Sequence, residues 1–279
     1  MKISKSHLLD GKTISITGSK SISNRLLILG KLFGDLKIEN LSNSQDTQLL
    51  QKALNEDAET VDIHHAGTAM RFLTSFNAIQ EGRKTILTGS ERMKQRPIKP
   101  LVDALRELGA EINYLENEGF PPLEIQGKKI EKNFVKIPAN ISSQFITSLL
   151  LIGASLENGL EIELQGEITS RSYIKMTLKI LKDIGVETRF EGNTIKILSA
   201  ASSLSNQKLD RHYHSSKIKH YTVESDWSSA SYFYSLVAIG KKKMHLKSFY
   251  AHSLQGDSAL KEIYLKFFGV NTISDAGEN

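Results

Sequence analysis

An α/β fold built from repeated units is what this sequence predicts, and three observations predict it. Three long segments carry the same order of features: a start rich in hydroxyl or glycine residues, an apolar run of helix length, a short strand-like run, and a second amphipathic run. The strand-like runs are "KTILTG", "LEIELQG" and "MHLKSF". Each second amphipathic run stops at a glycine, Gly109, Gly185 or Gly269, with a small apolar residue and a further strand expected next. Glycine after the last helical turn is a C-terminal cap, because it takes the left-handed conformation without a Cβ clash. The spacing from Gly109 to Gly185 to Gly269 exceeds the ~20–45 residues of a solenoid unit, so the units are expected to pack around shared cores.

Composition narrows the class. The chain has 279 residues, 39% of them hydrophobic, enough for one or two packed domains. Its formal charge of +5 is mild and suits an enzyme of acidic small molecules at least as well as a nucleic-acid binder. "KKK" at 241–243 reads as an exposed turn. With no cysteine, disulfides, thiolate catalysis and cysteine metal sites are excluded. The start has no signal-peptide pattern, and "SLLLIGASL" falls far short of the ~20 apolar residues of a membrane span. A cytoplasmic protein is expected.

Taken in order, the first unit is a looser copy opening at "GSKSISNR". Gly18 frees the backbone, and Ser19, Ser21 or Ser23 can cap the helix that follows. Lys20 and Arg25 add two cations beside the free N–H groups of that start. The stretch reads either as a capped helix with solvated cations or as an anion site; it is not a phosphate-binding P-loop, whose spacing it lacks. The second unit opens at "HHAGTAMRFL", where Gly67 and Thr68 present backbone N–H groups and Arg71 follows one turn in. His64 and His65 are expected on a strand, facing opposite ways. The unit continues through "SERMKQRPIKP", a loop carrying Arg92, Lys94, Arg96 and Lys99, with Pro97 expected in the first turn of the next helix. Arg96 is its best anion clamp, since guanidinium grips carboxylate at two points.

A polar, poorly periodic stretch, "EGFPPLEIQGKKIEKNFVKIPANI", leads to the third unit. That unit opens at "ISSQF", where Ser142, Ser143 and Gln144 offer two hydroxyls and an amide, and its second helix opens at "ITSRSYIKM", with Ser170, Arg171 and Tyr173. A second polar stretch, from Leu198 to Asp226, is the better candidate for a long loop at a boundary; it holds His212, His214 and His220, which make a poor metal site. The fourth unit follows. Five helix starts bearing Ser, Gly, Lys or Arg at equivalent places imply helix ends that converge on a polyanionic small molecule.

These clusters, in this order, closely resemble the EPSP synthase (3-phosphoshikimate 1-carboxyvinyltransferase) family. The matching pieces are "GSKSISNR", "AGTAMRFL", "LTGSERMKQRPIKPLVDALRELGA", "SSQFITSLLL", "SRSYIKMTL" and "YTVESDWSSASYF". The resemblance implies a two-lobed α/β enolpyruvyl transferase fold of repeated βαβαββ units, one lobe complete and the other partial. Residues 1–19 would give the first strands of the partial lobe, 20–223 the complete lobe, and 224–279 the first unit of the partial lobe. It implies transfer of the enolpyruvyl group of phosphoenolpyruvate to the 5-hydroxyl of shikimate 3-phosphate with release of phosphate. No metal or organic cofactor, nucleic acid or membrane is implied, and a monomer is expected.

Carried onto this chain, Lys20 resembles the catalytic lysine that meets both substrates, and Ser21 and Arg25 resemble the shikimate carboxylate site. Ser142, Ser143, Ser170 and Tyr173 resemble the shikimate 3-phosphate site. Gly67 and Arg96 resemble phosphoenolpyruvate contacts, where glyphosate would compete, and Gln144 stands between both substrates. Two departures bear on this. His65 stands where the family usually has asparagine, and Phe72 where proline is frequent. The family's six units are four here, so its remaining acid/base residues and distal cationic residues are expected beyond residue 279, leaving this chain weakly active or inactive alone. The related nucleotide-sugar enolpyruvyl transferases and a non-catalytic anion-binding module are the alternatives.

Overall fold

Two four-stranded sheets with one topology organise most of the chain. The computed structural model describes residues 7–34, 36–199 and 220–273. Sheet one contains β3 (Thr60–Asp62), β4 (Lys84–Thr88), β5 (Glu111–Tyr114) and β6 (Leu123–Gln126) in the order β3-β4-β6-β5. Sheet two contains β7 (Phe134–Pro138), β8 (Leu160–Gln165), β9 (Thr188–Glu191) and β10 (Thr194–Ile197) in the order β7-β8-β10-β9. In both, the first two strands pair in parallel and the remaining ladders are antiparallel. Each therefore reads strand, helix, strand, helix, hairpin. The helices are α3 (Gly67–Ala78) and α5 (Lys99–Leu108) for sheet one, and α6 (Ser143–Gly153) and α7 (Arg171–Asp183) for sheet two.

Alternation along β7 and β8 buries one face of the sheet, with Val135, Ile137, Leu160, Ile162 and Leu164 all buried. Against such faces lie helices apolar on nearly every side. Every residue of α3 is buried, as is α6 from Phe145 to Gly153. Gly109, with φ of 108°, and Gly269, with φ of 66°, are left-handed C-caps, and Gly185 takes φ of 94° directly after its helix cap.

The first unit is leaner. Its helices α1 (Lys20–Phe33) and α2 (Gln45–Asn55) flank β2 (Lys37–Glu39), which pairs in parallel with β11 (His220–Thr222). No hairpin follows α2, because β3 already belongs to the next sheet. A groove of about 300 Å³ opens there, lined in part by Leu27, Leu36, Ile38, Leu41 and Leu54.

In the last unit, β1 (Lys12–Ile14) pairs in parallel with β12 (Met244–Leu246), beside α8 (Trp227–Gly240) and α9 (Leu260–Phe268). A small second core of Trp227, Ala230, Tyr234 and Leu260 gathers there, separate from the main one. The segments 16–19 and 223–226 join the two. Ser19 N–H donates to Glu224 O at 2.8 Å and Asp226 N–H to Thr17 O at 3.1 Å. Gly18 is needed there, since a Cβ would lie 1.8 Å from Asn40 O.

Several expectations need correction. His64 and His65 lie in a turn after β3, not on a strand; His64 takes φ of 52°, and the rings sit 5.0 Å apart instead of facing opposite ways. "SERMKQRPIKP" is not all loop, for Ser90 caps a short helix, α4 (Glu91–Lys94). Pro100, not Pro97, occupies the first turn of α5. The "EGFPPLEIQG" stretch contains β6 and leads into β7, where short alternating apolar residues escape a reading by helical period. No strand follows Gly269 within residues 270–273. His212, His214 and the "SDAGEN" tail lie outside the described residues.

Candidate active site

Arg25 is the point at which four helices meet. It is 4% exposed, and all its acceptors among the described residues are neutral. Nε donates to Thr177 Oγ1 at 2.8 Å, Nη1 to Ser21 O at 2.6 Å and Nη2 to Thr147 Oγ1 at 3.3 Å. The Phe72 and Tyr173 rings each lie 5.9 Å from the guanidinium carbon. Arg25, Phe72, Thr147 and Thr177 belong to α1, α3, α6 and α7, each five to seven residues from its helix start. At 1.5 Å per residue, each start therefore lies within about 10 Å, along its own helix, of the residue it contributes. Burial pushes the Arg25 pKa down to about 10.

Three of those starts lack a side-chain cap. Ser19, Ala66 and Ser170 are the N-cap residues of α1, α3 and α7, and none accepts from its own helix. The expected serine cap on α1 does not form; Ser23 instead accepts from Ser42 N–H at 2.9 Å. Only Ser142 caps, accepting from Gln144 N–H at 3.4 Å. Free N–H groups at a helix start favour negative charge.

The starts of α3 and α6 are stitched together. Gln144 Nε2 donates to Thr68 Oγ1 at 3.1 Å, Ser75 and Ser148 hydroxyls lie 2.6 Å apart, and Ser148 Oγ donates to Arg71 O at 2.5 Å. The small hydroxyl residues let these buried helices approach closely and still satisfy their polar groups.

Among the four cations of the α4 loop, two are neutralised. Lys94 pairs with Glu116 at 2.8 Å and Lys99 with Glu118 at 2.6 Å, which raises both ammonium pKa values. Arg96 has no acceptor among the described residues, and its guanidinium lies over Gly67: a Cβ there would be 2.2 Å from Nη1. Beneath it, Arg71 is 4% exposed and donates to Gly67 O at 3.1 Å and Pro97 O at 3.2 Å. Burial first, then Arg96, pushes the Arg71 pKa down to about 10.

Lys20 stands half exposed at the α1 start, 3.9 Å from Asp46. Ser21, Ser143, Gln144 and Ser170 are half-buried, while Ser142 and Tyr173 are exposed. Arg171 stacks on Phe190 at 5.2 Å, an alternative engagement to the cluster. The sequence reading missed Thr147 and Thr177; it singled out Thr68 for its backbone N–H alone, not its hydroxyl, and named Arg71 one turn into the helix without giving it a role. An arginine set one turn into an otherwise apolar helical run was the available signal for Arg71. The threonines carry none beyond their hydroxyls on an apolar helix face. Among the described residues, no three His, Asp or Glu cluster as metal ligands, and no helix is long and apolar enough to cross a membrane.

The sequence model of the family described as EPSP synthase (3-phosphoshikimate 1-carboxyvinyltransferase) matches residues 50–276. A 3-phosphoshikimate 1-carboxyvinyltransferase of Bacteroides fragilis is 46% identical over 93% of this chain and 60% of its own length. One of Haemophilus influenzae is 38% identical over 91% of this chain and 63% of its own length. The fold matches that of an EPSP synthase from Acinetobacter baumannii, with a TM-score of 0.66 at 20% identity, over 88% of this chain and 57% of that one. The chain thus spans about 60% of the relatives it matches. With its paired βαβαββ sheets and a family match running through both, this chain belongs to the EPSP synthase family.

Proposed function

We propose that this chain binds shikimate 3-phosphate and phosphoenolpyruvate and carries part of the machinery that transfers the enolpyruvyl group between them. The observation that carries the reading is Arg25, a buried guanidinium with only neutral partners, at the meeting point of four helices. Burying a charge unpaired costs stability, and a bound carboxylate or phosphate offsets that cost. In this reading Ser21 and Arg25 take the shikimate carboxylate. Ser142, Ser143, Ser170 and Tyr173 take the 3-phosphate, and Gln144 stands between the substrates. Gly67 and Arg96 take phosphoenolpyruvate, and Lys20 touches both substrates.

The reaction adds the 5-hydroxyl oxygen to C2 of phosphoenolpyruvate while a proton reaches the methylene carbon. Loss of phosphate and of one methyl proton then restores the double bond. Lys20 is the cation placed to neutralise phosphoenolpyruvate and to hand on a proton, and Asp46 at 3.9 Å steadies its ammonium. Residues 20–223 form the substrate lobe in this division of the chain, and 1–19 with 224–279 form part of the second. A cytoplasmic location and small-molecule partners go with the reading. The B. fragilis and H. influenzae relatives favour it over a nucleotide-sugar acceptor.

Calorimetric titration of the chain with shikimate 3-phosphate, against inorganic phosphate as control, tests it. Saturable binding well above the control is expected. A folded chain that binds neither more tightly than the other refutes the assignment of Arg25.

A further inference from the structure

We infer that the open edge of β2, with the apolar groove beside it, is a docking site for an extended segment of a partner protein, added as an antiparallel strand. The two regular sheets show what the slot takes. Their second strands, β4 and β8, are covered on this edge by β6 and β10, the last strand of each hairpin. β2 is the second strand of the first unit and has no such neighbour among the described residues. Its main chain is set for the ladder. Successive residues of a strand send their N–H and C=O to opposite edges. Val223 N–H donates to Glu39 O at 2.9 Å, so Glu39 and Lys37 face β11, and Ile38 turns its N–H and C=O to the open edge. The same arrangement holds where the slot is filled. Glu161 N–H reaches Asn133 O beside β7, which leaves Ile162 to β10, and Ile86 N–H reaches Glu59 O beside β3, which leaves Thr85 and Leu87 to β6.

The chemistry of the occupant follows from the same comparison. The inward residues of the added strands are apolar and buried, Leu123 and Ile125 in β6 and Ile195 and Ile197 in β10. Outward, each added strand sets a charge against an opposite one: Glu124 pairs with Lys84 at 2.9 Å and Lys196 with Glu161 at 3.0 Å. β2 offers both halves. Leu36, Ile38 and Leu54 line the groove, and Lys37 and Glu39 stand exposed on the outer face. The segment that fits places one apolar residue opposite Ile38 and another opposite Leu36. Between them a carboxylate faces Lys37, and a cation before them faces Glu39. From its N-terminus this reads Lys-Leu-Glu-Ile, the β6 pattern preceded by a lysine. A second copy of this chain could match those charges with its own Lys37 and Glu39. But Gln51, Leu54 and Asn55 of α2 line the groove, and an antiparallel copy would bring its own α2 over the same strip. A segment free of an attached helix meets no such obstacle.

A fluorescein-labelled Lys-Leu-Glu-Ile-Gln peptide, titrated into the chain and read by anisotropy, tests this. Saturable binding is expected. On saturation the Ile38 amide should slow its hydrogen exchange about tenfold, while the Lys37 and Glu39 amides, already bonded to β11, keep their rates. Gly30→Leu fills the groove from α1. A Cβ at Gly30 comes no closer than 3.6 Å to atoms beyond its own helix, at Ile38 Cδ1, so the variant should fold. It should abolish peptide binding and leave shikimate 3-phosphate binding as it was. Exchanging the charges, Lys37→Glu with Glu39→Lys, should weaken this peptide about fivefold and favour by as much a peptide whose lysine and glutamate are exchanged. No saturable binding, binding indifferent to Gly30→Leu, an Ile38 amide that does not slow, or no response to the charge exchange overturns the inference. Peptide affinity that falls as the chain is concentrated gives the slot to a second copy and overturns it too. None of these probes touches Arg25, so their failure leaves the proposed function standing.

Discussion

A buried guanidinium is a poor choice for stability and a good one for binding, and Arg25 shows both sides. Burial pushes its folded pKa down to about 10, below that of the free group. The unfolded chain therefore holds that proton more tightly. The group's contribution is unfavourable at neutral pH, on the order of 3 kcal/mol, and is relieved only as pH rises above about 10. Arg25→Met should then leave the melting temperature unchanged or raised while weakening shikimate 3-phosphate binding by about 2–5 kcal/mol. Scanning calorimetry and titration of the same sample read both; a lower melting temperature with intact affinity would make Arg25 a structural residue. Gly67 gives the complementary case. Its backbone is helical, so Gly67→Ala should fold normally. The new methyl group displaces the flexible Arg96 end from its place over α3. Phosphoenolpyruvate affinity should fall about tenfold, the loss expected for one guanidinium–anion contact, with shikimate 3-phosphate affinity unchanged.

Between elements, Glu224 ties the start of α8 to the loop at 250–255. It is 1% exposed, and its carboxylate accepts from Trp227 Nε1, Tyr250 N–H, Ser253 Oγ and Gln255 Nε2 at 2.6–3.0 Å. Four donors converge on one charge, so the α8 start and the 250–255 loop are held together without a large apolar core. Glu224→Gln turns an NH2 group towards two of those donors and should cost about 3 kcal/mol. Urea unfolding followed by fluorescence of Trp227, the sole tryptophan, measures this locally; an unmoved midpoint would show that the network is dispensable. Glu224 lies within the matching piece "YTVESDWSSASYF", but nothing there announced its role, because its partners have no periodic spacing. The helices were legible because glycine C-caps and apolar periods are local signals: Gly109 and Gly269 stand where such a reading puts them. The Arg25 cluster was legible only in part. Its cation and serines sit at a readable helix start, but Thr147 and Thr177 reach it from 122 and 152 residues away. The strand assigned to His64 and His65 failed because a left-handed turn residue interrupts it, and histidine carries no glycine-like warning of that conformation.

Across the whole molecule, burial is uneven in a way that predicts behaviour in solution. The main core closes over all of α3 and over α6 from Phe145 onward. The α8 and α9 pair does not close. α8 is apolar on nearly every side, yet only Trp227, Ala230 and Tyr234 are buried, and Tyr232 and Ile239 stand 74% and 83% exposed. On α9, Ile263, Leu265, Phe267 and Phe268 are exposed as well. A helix apolar all round belongs in an interior, and contiguous exposed apolar surface drives association. The relatives carry more chain than this one spans. The chain should therefore associate as its concentration rises, against the monomer that its resemblance suggests. Leu236→Glu with Phe267→Glu should abolish that association, since both positions are exposed and like charges then face each other. Shikimate 3-phosphate binding should not change, because neither position touches the main core. Supplying the remaining segment of the B. fragilis relative as a separate polypeptide should suppress association in the unsubstituted chain by covering the same face. Sedimentation velocity over a concentration series reads all three samples. A chain that stays monomeric throughout would mean that the exposed α8–α9 surface is too broken by Lys261 and Lys266 to drive contact, and that its apolar residues are solvated singly.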